Sequence, residues 1–233
     1  MVKSEVPKVV VQYSHINLVS FLSIFHSYDA LPNPDFVLFT GDATRHFAYV
    51  TRNSFAITTA AMALIYDSLR ETFGDEVEVV QLPPLDLGNN DLPNGDYDMG
   101  NITFDPCYIQ DNDDGGDPIL PPATNEWLQT LAYDILRETF VNEQEQAVFA
   151  CGGYLERSIN KGHIRLIVLN TVVFSKKLES NPTLDGCKTM DPFGQLEWLE
   201  SRLNAARQYN VANPNNKVAI YITGHIPPVQ ESC

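Results

Sequence analysis

Three strand-to-turn stretches each deliver a residue able to hold a metal or support proton transfer: Gly41-Asp42, Gly88-Asn89-Asn90-Asp91 and Gly224-His225. Asp42, Asn89 and His225 offer a carboxylate, an amide oxygen and an imidazole. Such a mixed oxygen and nitrogen set suits zinc, manganese or iron better than the thiolate-seeking metals. A carboxylate can bridge two ions. Two ions about 3.5–4 Å apart can bind a phosphoryl oxygen, sharpen a water nucleophile and steady a leaving oxygen. Competing chemistries lack their motifs: there is no glycine-rich phosphate loop ending in Lys and no Gly-x-Ser-x-Gly elbow.

The elements that must position these residues alternate between strand and helix. Asp35-Phe36-Val37-Leu38-Phe39 runs through Thr40 into Gly41-Asp42. A short apolar run closed by Gly reads as a buried strand, and ligands in open α/β sheets bind at the carboxyl ends of strands. Lys8-Val9-Val10-Val11-Gln12 reads as a first strand and residues 16–28 as a weakly periodic helix. Over residues 53–73, Phe55, Ala60, Met62, Ala63, Ile65 and Leu69 carry a helical period, with Gly74 placed for a C-terminal cap. Residues 77–82 alternate as a strand that Pro83-Pro84 stops.

Asn125 to Phe140 reads as an amphipathic helix with Trp127, Leu128, Leu131, Ile135 and Leu136 inward. Ala147-Val148-Phe149-Ala150 and residues 164–169 read as paired strands, with Gly152-Gly153-Tyr154 between them. Residues 195–209 read as a helix whose apolar face holds Leu196, Trp198, Leu199, Leu203 and Ala206. Residues 217–223 form the last strand, delivering Gly224-His225. Trp127 and Trp198 serve as core anchors. Strands alternating with helices indicate an α/β layered fold.

A chain of 233 residues can bury a real core as one domain. Its net charge of -15 provides no basic footprint for nucleic acid or an anionic membrane, so an anionic substrate must be attracted by local cations. The four cysteines, Cys107, Cys151, Cys187 and Cys233, form no CxxC pair and permit two disulfides in an oxidising compartment. Asn101-Ile102-Thr103 is a glycosylation sequon. No run approaches the ~20 apolar residues of a membrane span, and the first residues carry no signal-peptide pattern. The acidic stretch 111–117 lacks the closing Glu of a calcium loop and reads as a solvated loop.

Taken together, FVLFTGDATRH at 36–46, LGNND at 87–91, LNT at 169–171, DPFGQLEWL at 191–199 and YITGHIPP at 221–228 resemble the calcineurin-like metallophosphoesterase superfamily. Within it the likeness is to acid sphingomyelinase-like phosphodiesterases, with endopolyphosphatase a close relative. The resemblance covers about residues 35–230 and implies a sandwich of two mixed β-sheets flanked by helices. The phosphoesterase domain would span residues 35–233, after a poorly matching segment 1–34.

The resemblance also implies two divalent metal ions, zinc first, with manganese or iron as alternatives. Asp42 would bridge them, with Asn89 and His225 as further ligands. His46 and Asn90 would stand near the substrate phosphate. The reaction implied is attack of a metal-activated hydroxide on a small-molecule or lipid phosphodiester, in a secreted, lysosomal or vacuolar setting. An endopolyphosphatase is the second reading, and an inactive remnant lacking part of the metal site the third.

Three departures bear on these readings. The family opens with Asp-x-His, whereas the first strand here ends in Tyr13-Ser14-His15. The family's closing Gly-His-x-His does not occur before Cys233, so the chain is expected to be truncated at both ends. Asn90 stands where the family often has His. An amide donates a hydrogen bond but transfers no proton at neutral pH, which shifts the acid role toward His46.

Overall fold

The computed structural model describes residues 9–12, 36–39, 41–42, 54–73, 92, 107, 126–137, 140–159, 161–175 and 191–226. Two short β-branched and aromatic runs, β1 (Val9–Gln12) and β2 (Phe36–Phe39), pair in parallel with Val9 opposite Phe36 and Gln12 opposite Phe39. A second, mixed sheet has the order β3 (Leu155–Ile159), β4 (Ile164–Leu169) and β5 (Ala219–Gly224). β3 and β4 are antiparallel across a tight turn in which Lys161 and Gly162 take left-handed backbone. β4 and β5 are parallel, from Ile164 opposite Ala219 to Leu169 opposite Gly224. The architecture is therefore α/β, as expected.

Helix α1 (Ser54–Phe73) matches its expected span. It buries Thr58, Met62, Ile65 and Ser68, while Ala60, expected on the apolar face, is exposed. The stretch expected as one helix over 125–140 is α2 (Glu126–Gln129) continued by a π-helical turn, Thr130–Ile135. The wider turn is sealed by the Leu136 N–H donating to Leu131 O at 2.8 Å. Trp127, Leu128, Leu131 and Leu136 are buried and Ile135 packs partly against them, so the inward face is the expected one.

One element is overturned. Ala147-Val148-Phe149-Ala150 is not a strand; it lies inside helix α3 (Glu143–Gly152). A four-residue apolar run cannot be told from a buried helix by periodicity alone, and the flanks decide. Asn142 caps the helix, its Oδ1 accepting the Glu145 N–H at 2.8 Å. Gly153, at φ 71, closes it with its N–H on Phe149 O. The true partner of β4 is β3, whose Glu156 and Arg157 obscure the apolar signal. Arg157 can point inward because the Glu145 carboxylate meets it there, both side chains being buried. Burial raises the Glu145 pKa above its ordinary value, and the neighbouring Arg157 charge opposes that rise.

Helix α4 (Gln195–Ala212) also departs in detail from its expected face. Its buried residues are Gln195, Trp198 and Ala206, and Leu199 packs partly against the core as expected. Leu196 and Leu203 are exposed. The last strand starts at Ala219 because Asn210 engages Val218 first: its Oδ1 accepts the Val218 N–H at 2.7 Å and its Nδ2 donates to Val218 O at 3.0 Å.

One core takes in both sheets, with Phe36 and Leu38 joined to Leu155, Leu166 and Val168. The Phe36 and Tyr221 rings meet edge-on at 6.0 Å. Trp127 and Trp198 are both in this core, as expected. A disulfide joins Cys107 to Cys151 across 44 residues; closing a loop of that length is worth about 4 kcal/mol in the chain-entropy picture. The expected elements at 16–28 and 77–82 lie outside the described residues, as do Cys187 and Cys233. Between α1 and α2 only Leu92 and Cys107 are described, and both are buried. No described helix is long and apolar enough to cross a membrane.

Candidate active site

The carboxyl end of β2 turns by way of two consecutive left-handed residues, Gly41 at φ 84 and Asp42 at φ 58. Glycine adopts that conformation freely; an ordinary side chain pays about 1–2 kcal/mol there, and Asp is among the few that pay less. Strain of this kind persists where the surroundings fix it, and it gathers at functional sites. The result is a carboxylate held in the interior, 4% exposed.

His225 arrives from β5, next to the end of β4 in the parallel register. The chain after β4, Asn170-Thr171, sets its position. A Cβ added to Gly224 would stand 2.4 Å from Thr171 Cγ2, so the two backbones approach as closely as they do because residue 224 has no side chain. On the other side of His225, the Ile226 N–H donates to Thr171 Oγ1 at 2.8 Å. Thr171 thus brackets the histidine.

Behind Thr171 the structure is fixed by buried amides. The Asn170 N–H donates to Gln195 Oε1 at 2.7 Å, and Gln195 Nε2 donates back to Asn170 O at 3.1 Å. Asn170 Nδ2 donates to Gly152 O at 3.0 Å. These bonds tie the end of β4 to the start of α4 and the end of α3. They also explain the DPFGQLEWL motif. The Asp191 carboxylate accepts the N–H groups of Leu196 and Glu197 at 2.7 and 2.9 Å, holding the first turn of α4. The Phe193 carbonyl accepts from Tyr154 Oη at 2.9 Å and from the Cys107 N–H at 2.8 Å.

The outcome is that Asp42 and His225, 183 positions apart by their numbers (225 − 42), meet: His225 Nε2 stands 3.4 Å from Asp42 Oδ1. Two donors each about 2.05 Å from a tetrahedral zinc would stand about 3.3 Å apart. The separation and the carboxylate–imidazole chemistry therefore fit a shared cation. Among the described residues no group of three or more His, Cys, Asp or Glu could hold a metal. His46, Asn89 and Asn90, the other expected site residues, lie outside the described residues. Sequence reasoning gives LNT no role of its own. The signal is there nonetheless: a strand as apolar as Ile164–Leu169 ending in Asn170-Thr171 has polar groups to place.

No protein-family model matches the chain. An endopolyphosphatase of Neurospora crassa is 28% identical over 205 residues, covering 84% of this chain and 23% of that protein. An endopolyphosphatase of Cryptococcus neoformans is 26% identical over 199 residues, covering 83% of this chain and 24% of that protein. The cyclic GMP-AMP phosphodiesterase SMPDL3A of Homo sapiens is 29% identical over 109 residues, 46% of this chain and 21% of that protein. The chain spans about a quarter of the length of the curated relatives it matches. Each relative is named for cleaving a phosphate linkage. The chain is a relative of the metallophosphoesterases.

Proposed function

We propose that this chain carries the phosphoesterase region, residues 35–233, of a metal-dependent phosphodiester hydrolase. The observation behind the reading is the Asp42–His225 contact of 3.4 Å at the ends of two strands from different sheets. Asp42, Asn89 and His225 would hold the divalent ions; the donor set favours zinc and accepts manganese or iron. Bound there, such ions would supply Lewis-acid polarisation of a phosphoryl oxygen. His46 protonates the leaving oxygen and Asn90 donates a hydrogen bond to the phosphate.

The complete fold is a two-sheet sandwich flanked by helices. The substrate is a small-molecule or lipid phosphodiester. A secreted, lysosomal or vacuolar setting agrees with the Cys107–Cys151 disulfide, with Asn101 as a glycan acceptor.

Endopolyphosphatase activity is the second reading, favoured by two relatives of that name aligned over 83% or more of this chain. Hydrolysis of bis-(p-nitrophenyl) phosphate and of long-chain polyphosphate, each with and without zinc or manganese, separates the readings when paired with metal content. Metal-dependent cleavage of the diester is expected, and Asp42→Ala or His225→Ala should lower it by about 100-fold or more. Cleavage of polyphosphate alone would install the second reading. Sub-stoichiometric metal with neither substrate cleaved would establish an inactive remnant. Unchanged turnover in either variant would remove Asp42 or His225 from the site.

A further inference from the structure

A second polar feature lies at the opposite edge of the mixed sheet. A cleft of about 510 Å³ wraps the edge of β3 between the start of α3 and the flank of α4. It reaches Val218, just before β5, and Arg165 pairs with Ile220, five residues or about 16 Å along the strand from His225. Three guanidiniums line it, Arg157, Arg165 and Arg202, against two carboxylates, Glu145 and Glu156. Arg157 is engaged by Glu145 inside the core. Arg165 and Arg202 share Glu156: Arg165 Nη1 stands 3.3 Å from Oε1, and Arg202 Nε 3.9 Å from Oε2. Two guanidiniums to one carboxylate leave a local positive excess, in a chain whose net charge is -15.

Both groups are held in place by rings. Arg165 lies over Tyr209 at 5.7 Å and Arg202 over Trp198 at 5.9 Å. Arg202 Nε is shut off from solvent and finds no hydrogen-bond partner among the described residues. The capped end of α3 at Asn142 adds its partial positive charge at the rim, against the exposed Glu143 of the same turn. A planar guanidinium fork matches the oxygen spacing of a phosphate. Two such forks, preset and under-neutralised, have the chemistry of an anion site.

We propose that this cleft binds a phosphate-class oxyanion, inorganic phosphate or an oligophosphate, between Arg165 and Arg202, separately from Asp42 and His225. The inference does not depend on the hydrolase reading. Titration calorimetry of tripolyphosphate into the EDTA-treated chain tests it, because the metal-dependent site is then silent. Saturable binding is expected, weakened at least 10-fold in the Arg165→Gln, Arg202→Gln double variant and unchanged in Asp42→Ala. Glu156→Gln removes the competing carboxylate charge and should tighten binding severalfold; it keeps the test decisive if the double variant does not fold. No saturable binding, binding that survives the double variant, or no tightening in Glu156→Gln would each overturn the proposal. Loss of binding in Asp42→Ala would move the anion to the strand-end site and overturn it too.

Discussion

Gly41 and Gly224 hold equivalent places, each at the end of a strand and each just before a residue of the Asp42–His225 contact. They are glycine for different reasons. Gly41 needs its backbone: φ is 84, in the left-handed region, and Asp42 follows at φ 58. Gly224 needs its missing side chain, because Thr171 Cγ2 occupies the space a Cβ would fill. One turn brings its functional group in by local conformation, the other by close packing against a neighbouring strand end. A strand end reading Gly-X can thus position X by either route, and the difference can be measured.

The largest effect is expected at Gly224. Gly224→Ala forces a methyl to within 2.4 Å of Thr171 Cγ2, and overpacking of this kind costs about 1–3 kcal/mol. It should also displace His225 and lower metal-dependent turnover. Adding Thr171→Ser removes Cγ2 yet keeps the hydroxyl that accepts from Ile226, so the double variant should recover most of the lost stability in urea denaturation. If Thr171→Ser recovers nothing, close packing is not what the glycine serves.

Gly41→Ala should cost slightly less, about 1–2 kcal/mol, because the penalty is a dihedral one. Thr171→Ser should not reduce it, so the 41/171 pair should be additive where the 224/171 pair is strongly coupled. Coupling of equal size in both pairs would erase the distinction.

This division also marks what is legible in the sequence. Strand β2 and the span of α1 are plain from apolar runs and period, and the Asp42 and His225 motifs stand out as residue types. The close approach of Thr171 to Gly224 is not readable, because it depends on the parallel register of β4 and β5, which no local pattern specifies. The strand expected at 147–150 fails for a related reason: its four apolar residues suit a buried strand or a buried helix equally, and Asn142 and Gly153 carry the deciding signal. β3 escapes the sequence pattern because it buries Arg157, which makes sense only once Glu145 of α3 is beside it. Asn89, Asn90 and His46 remain expectations of motif alone.

The smallest effect on stability, and the cleanest separation of backbone from charge, should come from Asp42 itself. Asp and Asn are the non-glycine residues that best tolerate left-handed backbone. Asp42→Asn keeps that tolerance and nearly the same volume, so its urea midpoint should stay within about 0.5 kcal/mol of the parent. Asp42→Ala loses the tolerance and should fall by about 1 kcal/mol. Turnover should order the variants differently: both should be lost together, since the amide has no charge to hold a cation opposite His225. A stable, inactive Asp42→Asn beside a weakened, inactive Asp42→Ala would show that the residue is Asp for its charge and left-handed at an energetic cost. Equal destabilisation of the two would instead mean that the carboxylate's own contacts, with His225 first among them, hold this turn together, and the contrast with Gly224 would narrow to one of degree.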